Sequence, residues 1–402
     1  MKVLLVSFGR VIESKGGTEK VFFELGNELL SRGNDVLLLS FDNKDGSPLF
    51  RIDDGVNFLN IRNNKPNLLL RCFFEIIKVF NKRYARRFKE CYLDKVKSGF
   101  IQNQVDIFNP DVIVSFMPRV TRAIKFYTKV SVPVVTMFHL EPRFILDNQS
   151  YEDRLALNRS ELVQVLLPDY VAQLRSFHIY SNIIYLPNAV LSSKFSPDFK
   201  LVSNNNNTRL KKVITVGRVE KVQKRTHLLI HAFAMVDSNI RINWTVEVYG
   251  EFVDYEYKKL CISMINKLGL NDCFFLCGIT NDVSKKLSQA DIFAFPSAYE
   301  GMPLAMLEAM SVGLPVLGFK NCIGVSRIIH NNLNGLLAEN NIDDFASNLE
   351  LLIKDDELRS KLGIGAIKSV SPFDSNLIYD KWNTVLKSVS KKCSVPESYL
   401  DI

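Results

Sequence analysis

The sequence predicts an α/β protein built from two doubly wound parallel sheets that follow each other along the chain. Apolar strand-like segments alternate with helix-like segments, glycines follow several of the strands, and the alternation restarts after a polar break. A chain of 402 residues is long enough for about two or three domains. We therefore expect two domains of similar design with a ligand cleft between them.

The first half begins with an apolar strand at residues 1–7 and a loop that contains Gly16 and Gly17. A helix is predicted for residues 18–31, and Gly33 ends it. Alternation of this kind is typical of a parallel sheet with helical crossovers. Further strands are predicted at residues 36–39, 56–61, 111–114 and 133–138.

The second half repeats the pattern after a polar segment that we interpret as a linker. This segment contains prolines, serines and a run of asparagines at residues 204–207. A strand at 212–217 and a helix at 226–236 follow it. Further strands are predicted at 244–249, 274–276, 291–295 and 315–319, and a last helix at 377–388.

The composition predicts a soluble, cytoplasmic protein. Hydrophobic residues make up 47% and charged residues 23% of the chain, which is ordinary for a globular protein. The first residues do not resemble a signal peptide, and no uncharged apolar run approaches the roughly 18 residues that a membrane span needs. The closest cysteines, Cys273 and Cys277, have no histidine nearby, so a metal site is not expected.

The net charge of +8 is concentrated in one segment. Residues 62–97 are rich in lysine and arginine, and apolar residues are interleaved with them. This pattern is typical of an amphipathic helix on an anionic membrane surface, here the inner face of the plasma membrane. The alternative is a surface helix whose apolar side packs on its own sheet. Nucleic acid is not an expected partner, because no nucleic-acid-binding motif accompanies the charge.

The segment from the strand at 291–295 to Pro315 predicts a ligand site. Glu300 lies in the loop after this strand, and Glu308 lies on the following helix. Pro303 is expected at the first helical position, and Gly313 with Pro315 ends the helix. The loop would lie at the carboxyl end of a parallel strand, where open α/β sheets bind ligands. The start of the helix favours an anion such as a phosphate.

Four segments, in order and spacing, resemble the retaining glycosyltransferases of family 4. They are residues 16–19, 216–233, 274–278 and 296–310, with a weaker match at 186–188 and 195–197. The resemblance covers nearly the whole chain, although Ala189 and Leu191 depart from the family pattern. It implies the GT-B architecture of two facing Rossmann-like domains: an acceptor-binding domain at 1–197, a nucleotide-sugar-binding domain at 208–372, and a C-terminal helix within 373–402 that returns to the first domain.

The resemblance also implies roles for particular residues of the first half. The loop of Gly16 and Gly17 would border the phosphates of the sugar donor and the acceptor pocket, with Glu19 beside the acceptor. His139 follows the strand at 133–138 and would line the catalytic centre.

In the second half, the resemblance assigns Arg218 and Lys224 to the charge of the leaving diphosphate. The spacing between them is one residue longer than usual, so Gln223 and Lys221 remain alternatives to Lys224. Glu300 would bind the sugar of the donor, and Glu308 would accept hydrogen bonds from the ribose hydroxyls. The donor-binding segment that follows Glu300 consists of Gly301, Met302, Pro303 and Leu304.

We therefore expect a retaining hexosyltransferase that uses a nucleotide sugar, with UDP as the expected nucleotide. The expected acceptor is a hydroxyl of a lipid-linked or cell-envelope glycan at the cytoplasmic membrane face. No metal or further cofactor is expected, because Asp53-Asp54 and Asp343-Asp344 lack the setting of an Asp-x-Asp motif at a strand end.

Other classes of protein make different predictions. A dinucleotide oxidoreductase should carry Gly-x-Gly-x-x-Gly after a strand, and neither half has this pattern. A glycoside hydrolase is disfavoured because Glu300 and Glu308 belong to one strand–loop–helix unit. A nucleotide-sugar epimerase, a phosphorylase and a non-catalytic sugar-nucleotide-binding subunit remain open alternatives.

Overall fold

The computed structural model of the protein describes residues 1–62, 68–147, 151–190 and 210–395, without the side chain of Arg83. The chain divides into two compact units. The first contains Met1–Pro187 and Tyr379–Ile402, and the second contains Asn188–Ile378. The predicted asparagine-rich linker and the predicted domain borders at 197 and 208 lie outside the described residues.

The first unit contains a seven-stranded sheet in which all neighbouring strands are parallel. Its strands are β1 (Lys2–Ser7), β2 (Asp35–Ser40), β3 (Asn57–Asn60), β4 (Val112–Ser115), β5 (Val134–Met137), β6 (Leu162–Val165) and β7 (Ile183–Tyr185). They lie in the order β3-β2-β1-β4-β5-β6-β7. The chain order reverses between β1 and β4, which makes this position the topological switch point of the sheet.

Seven described helices precede the second unit: α1 (Gly17–Ser31), α2 (Leu68–Phe80), α3 (Lys82–Phe108), α4 (Pro118–Tyr127), α5 (Pro142–Leu146), α6 (Tyr151–Asn158) and α7 (Asp169–Ser176). Gly33 ends α1 with a positive φ of 76°. Its amide donates to Leu30 O at 2.9 Å, and the amide of Asn34 donates to Leu29 O at 3.2 Å, which together form a Schellman motif.

The second unit contains a six-stranded parallel sheet. Its strands are β8 (Lys211–Val216), β9 (Trp244–Tyr249), β10 (Phe274–Gly278), β11 (Ile292–Phe295), β12 (Val316–Phe319) and β13 (Gly335–Ala338). The order β10-β9-β8-β11-β12-β13 places the switch point between β8 and β11. The two Rossmann-like sheets agree with the fold class predicted from the sequence, whereas β6, β7 and β13 were not predicted.

The described helices of the second half are α8 (Thr226–Met235), α9 (Ser238–Arg241), α10 (Tyr255–Lys267), α11 (Val283–Ser288), α12 (Leu304–Ser311), α13 (Ile323–Ser326), α14 (Ile342–Lys354), α15 (Asp356–Ser369) and α16 (Ser375–Ser390). A short 3₁₀ helix at Ser371–Phe373 precedes α16. The main core of this unit consists of side chains from one face of the sheet and from the helices that cover it, including Phe233, Phe274 and Phe345.

The last helix, α16, begins in the second unit and belongs to the first unit from Tyr379 onward. Arg32 at the end of α1 donates from Nε to Asp380 Oδ1 at 2.7 Å, and Asn34 donates to Asn383 Oδ1 at 3.0 Å. Trp382 is buried on the same helix. The C-terminal helix therefore packs on the first unit, as the predicted fold class requires.

A buried ionic network fixes the long helix α3 against α4 and α6. Asp94 of α3 is fully buried, and its two oxygens accept hydrogen bonds from Arg119 Nε at 2.8 and 2.9 Å. Arg122 also forms an ion pair with Asp94 and reaches Asp153 of α6 at 3.1 Å. Because both arginines belong to α4, the network joins three helices around one carboxylate.

Replacing Asp94 with alanine should destabilise the first unit strongly. The substitution removes one of the two carboxylates that pair with the buried guanidinium of Arg122, and breaking a buried ion pair costs about 3–5 kcal/mol in typical proteins. Urea unfolding followed by circular dichroism should show the loss, whereas Asp106→Ala, at an exposed position of the same helix, should unfold like the wild type. Equal unfolding midpoints for both variants would contradict this role of Asp94.

Candidate functional site

The predicted residues of the second half lie around the switch point of its sheet. Gly217 and Arg218 follow β8, and the loop that contains Glu300 follows β11. Because β8 and β11 are neighbours, their carboxyl ends open at the same place on the sheet edge. A small concavity there is lined by residues of both strand ends, among them Gly217, Arg218, Lys224 and Phe295.

A close ion pair joins the two loops. Lys224 Nζ lies 2.5 Å from Glu300 Oε1, and the side chain of Glu300 is only 7% exposed. The ammonium also lies 4.7 Å from the centre of the Phe295 ring. Among the alternatives for the lysine position, Lys221 is exposed and Gln223 is buried in the loop. Lys224 is therefore the residue that the structure brings to Glu300.

Gln223 connects the two loops through hydrogen bonds. Its backbone oxygen accepts from Ala298 N at 2.7 Å, and its Nε2 donates to Tyr299 O at 3.1 Å. Arg218 donates from a guanidinium nitrogen to Gln223 Oε1 at 3.3 Å. One buried amide side chain thus positions Arg218 and the residues just before Glu300.

Glu220 and Arg225 complete this arrangement. Glu220 Oε1 accepts from the amides of Gln223 and Lys224, both at 2.6 Å. Arg225 donates to Pro296 O at 2.8 Å and to Ser297 O at 3.0 Å. Glu220 and Arg225 were not among the predicted residues, and Gln223 was named only as an alternative to Lys224. A cluster of polar residues in the loop between a strand and a helix was the signal that could have found them.

The start of α12 provides backbone N–H groups beside this pair of loops. Pro303 is the N-cap residue rather than the predicted first helical residue, because the helix begins at Leu304. The amides of Met306 and Leu307 both donate to Pro303 O, at 3.0 and 3.1 Å. Those of Leu304 and Ala305 have no acceptor within the helix, because the first turn has no preceding carbonyls. They can therefore bind an anion.

The remaining predicted residues of this segment are close-packed. Gly301, Met302, Pro303 and Leu304 are buried. Met302 Sδ accepts from Asn188 N at 3.3 Å. Glu308 lies further along α12 and is half-buried. The helix ends in a Schellman motif, in which Gly313 N donates to Met310 O and Leu314 N donates to Ala309 O.

The predicted residues of the first half lie at the carboxyl edge of the other sheet. Gly16 is the N-cap of α1, and Gly17 is its first residue. A side chain at Gly16 would collide with the carboxylate of Glu19. Ser14 Oγ donates to Glu19 Oε1 at 3.2 Å. The carboxylate is therefore folded back over the start of the helix.

His139 follows β5 at the same edge. Its ring is stacked on Phe116, the residue after β4, with 5.0 Å between the ring centres. Its Nε2 is buried and has no hydrogen-bond partner among the described residues. Burial lowers the pKa of His139 to about 4, so the imidazole is neutral at neutral pH. His139 therefore presents a buried, uncharged nitrogen beside Phe116.

The structure thus brings Arg218, Lys224 and Glu300 together in the second unit, beside the start of α12. Gly16, Gly17 and His139 are at the corresponding edge of the first unit. In the second sheet, these predicted residues follow the two strands at the switch point, β8 and β11. In the first sheet, they follow β1, which is at the switch point, and β5, which is the neighbour of β4.

Comparison with known proteins shows which family and which fold this chain resembles. Residues 198–369 match the family model described as "Glycosyl transferases group 1". The structure of HepE from Anabaena in complex with UDP and glucose has a TM-score of 0.75 and is 18% identical, with 96% of this chain and 100% of that chain covered. The fold class is therefore GT-B, and the segment at 198–369 is similar to the group 1 glycosyl transferases.

Curated relatives extend the similarity over the whole chain. An uncharacterized glycosyltransferase from Haemophilus influenzae is 24% identical and covers 93% of this chain and 97% of its own length. The amylovoran biosynthesis glycosyltransferase AmsD from Erwinia amylovora is 23% identical, with 96% and 99% covered. A third relative, the UDP-Gal:alpha-D-GlcNAc-diphosphoundecaprenol alpha-1,3-galactosyltransferase of Escherichia coli, is 39% identical over 92 residues, 23% of each chain. These comparisons point to a glycosyltransferase.

The close packing around Glu300 gives a test of the site geometry. A Cβ atom at Gly324 would lie 2.5 Å from Glu300 O, so Gly324→Ala should displace the backbone of Glu300. We expect a loss of about 1–3 kcal/mol of stability and weaker binding of UDP, measured by calorimetry. Gly99→Ala, where no atom lies within 4 Å of the added methyl group, is the control. Unchanged UDP affinity in Gly324→Ala would show that the position of Glu300 does not matter.

Proposed function

We propose that this protein is a retaining hexosyltransferase that uses a UDP-sugar and needs no metal. The acceptor in this proposal is a hydroxyl of a lipid-linked glycan at the cytoplasmic face of the plasma membrane. The second unit binds the sugar donor, and the first unit binds the acceptor. The observation that carries the proposal is the Lys224–Glu300 pair beside Arg218 and the start of α12.

Each of these side chains and backbone amides can bind a different part of a nucleotide sugar. Arg218 and Lys224 are cations that can offset the charge of a diphosphate as the glycosidic bond breaks. The first amides of α12 provide further donors to phosphate oxygens. The carboxylate of Glu300 can accept hydrogen bonds from sugar hydroxyls, and that of Glu308 from the ribose.

The ion pair suggests how the site changes when the donor binds. Lys224 and Glu300 neutralise each other at 2.5 Å in the structure. In the proposed complex, the diphosphate replaces Glu300 as the partner of Lys224, and the sugar replaces Lys224 as the partner of Glu300. The departing phosphate takes the proton of the acceptor hydroxyl, so that the reaction needs no separate protein base. The proposal gives the neutral His139 a hydrogen bond to a sugar hydroxyl.

The names of similar proteins support the choice of substrates. HepE was crystallised with UDP and glucose, and the Escherichia coli relative is named as a UDP-Gal-dependent enzyme acting on a diphosphoundecaprenol-linked sugar. AmsD is named as a glycosyltransferase of amylovoran biosynthesis. A UDP-sugar and a phosphate-bearing lipid-linked acceptor are therefore the substrates to test first.

An epimerase or phosphorylase of the same fold would show a different pattern of turnover. Incubation with a labelled UDP-sugar should release UDP only when a lipid-linked acceptor is present. Conversion of the sugar without an acceptor would favour an epimerase, and release that depends on inorganic phosphate would favour a phosphorylase.

Substitutions at the ion pair test the donor site. Glu300→Gln, Lys224→Met and Arg218→Ala should each lower the rate of transfer roughly a hundredfold or more, because each removes a group aimed at the donor. Lys221→Met, in the same loop but exposed, should leave the rate unchanged. Near-normal rates in Lys224→Met, with the fold retained by circular dichroism, would refute the assignment.

An exposed apolar face supports the proposed membrane contact. Helix α2 packs on α3 through Phe74, whose ring centre lies 5.9 Å from that of Phe88. Large apolar side chains on the rest of α2 are exposed: Leu69 is 81%, Val79 83% and Phe80 84% exposed. The alternative, in which the apolar side packs on the sheet, therefore does not describe most of this helix.

Basic side chains surround this apolar face. The exposed ones with described side chains include Arg71, Lys78, Lys82, Arg86, Arg87 and Lys89. Apolar side chains flanked by cations suit the interface of an anionic bilayer. Among the described residues, no helix has the length and apolar character needed to cross a bilayer. We propose peripheral binding through α2 and the first turns of α3.

Charge reversal tests this surface. Changing Arg86, Arg87 and Lys89 to glutamate should abolish flotation with vesicles that contain anionic lipid, because each basic side chain contributes about 1 kcal/mol near such a surface. Reversal of three exposed lysines of the second unit, Lys259, Lys267 and Lys361, is the matched control. If both triple variants float like the wild type, the proposed membrane contact is wrong.

A further inference from the structure

One lysine of the basic segment is buried, contrary to its expected place on the membrane surface. Lys97 lies on α3 and is only 8% exposed. Its Nζ is 4.3 Å from the ring centre of Phe8 and 5.5 Å from that of Phe41. Phe8 follows β1 and Phe41 follows β2, so the ammonium lies at the carboxyl edge of the first sheet, next to the switch point.

The carboxylates whose charges act on Lys97 are bonded to other groups. Asp94 is held by Arg119 and Arg122. Asp42 Oδ2 accepts from the amides of Val11 and Ile12, both at 2.9 Å. Within the described parts of the chain, no carboxylate forms an ion pair with Lys97. The contacts described for its ammonium group are those with the faces of the two aromatic rings.

This environment is unfavourable for a cation. Burial, followed by the charge of Arg119, lowers the pKa of Lys97 to about 8, while Asp94 and Asp42 act in the opposite direction. The amine is still mainly protonated at neutral pH. A buried charge normally has an ionic partner, and the protein provides none here in the described residues. An anion from a ligand would supply it.

We propose that Lys97 binds a phosphate group of the acceptor substrate. This inference rests on the proposed function, in which the first unit binds a lipid-linked acceptor that carries phosphate. A protonated lysine forms strong charge-assisted hydrogen bonds with phosphate oxygens. The rings of Phe8 and Phe41 limit the access of water to this position and strengthen the attraction. Lys97 would thus help the enzyme to distinguish a phosphate-bearing acceptor from a neutral glycan.

The test uses geranyl diphosphate as a short probe for the lipid diphosphate. Its binding to the full-length protein is measured by calorimetry, both without UDP and with saturating UDP. Lys97→Met keeps an apolar side chain between the two rings but removes the charge. We expect this variant to bind the probe roughly tenfold to a hundredfold more weakly, while its affinity for UDP stays that of the wild type.

Two controls separate this effect from other losses. Lys95→Met removes an exposed lysine of the same helix and should bind the probe like the wild type. Circular dichroism and thermal unfolding verify that Lys97→Met is folded. Glucuronate, an anion without phosphate, is titrated as a second ligand and should show no dependence on Lys97.

The outcomes distinguish the two proposals. Equal affinity of wild type and Lys97→Met for geranyl diphosphate, with normal binding of UDP, would overturn the role of Lys97 and leave the donor site intact. If the binding of glucuronate depended on Lys97 and the binding of geranyl diphosphate did not, the assignment to phosphate would be wrong. Failure of the wild type to bind UDP would count against the proposed function. Weaker binding of geranyl diphosphate by Lys97→Met, measured without UDP, would still support the role of Lys97.

Discussion

The hydrogen bonds between the loops after β8 and β11 are the constraint on which the candidate site depends. A side chain from the first loop, Gln223, binds the backbone of the second, and Arg225 donates to two carbonyls of the same loop. These bonds give partners to backbone carbonyl groups that would otherwise be buried without a hydrogen bond. They also fix the positions from which Lys224 and Glu300 reach each other. The Lys224–Glu300 pair is therefore positioned by hydrogen bonds that Gln223 and Arg225 make to the backbone of the second loop.

The two sheets carry polar and charged residues at equivalent edges, but the charges of these residues differ. At the switch point of the second unit, cations and helix amides are suited to a diphosphate. At the edge of the first unit, a neutral histidine and a lysine between two aromatic rings offer one hydrogen-bonding group and one charge. A reaction that joins an anionic sugar donor to a hydroxyl acceptor needs both kinds of surface.

The sequence predicted the long apolar strands and the residues after them, because burial on both faces leaves an unbroken apolar run. It did not predict β6, where Gln164 interrupts the run, or the short strands β7 and β13. Arg225, and the role of Gln223 as a link between the loops, were missed because the partners of both side chains are carbonyl groups of a loop distant in the chain. Lys97 was misplaced because a basic segment does not show which of its cations is buried.

The ion pair of the proposed donor site has a consequence for selectivity. Because Lys224 and Glu300 neutralise each other, the site does not attract every small anion that diffuses past it. A phosphate ion alone would take the lysine and leave a nearly buried carboxylate without a partner, which is unfavourable. Only a molecule with an anionic end and a hydroxyl-rich end at the right separation satisfies both groups at once. The pair therefore makes the site respond to two chemical features together rather than to charge alone.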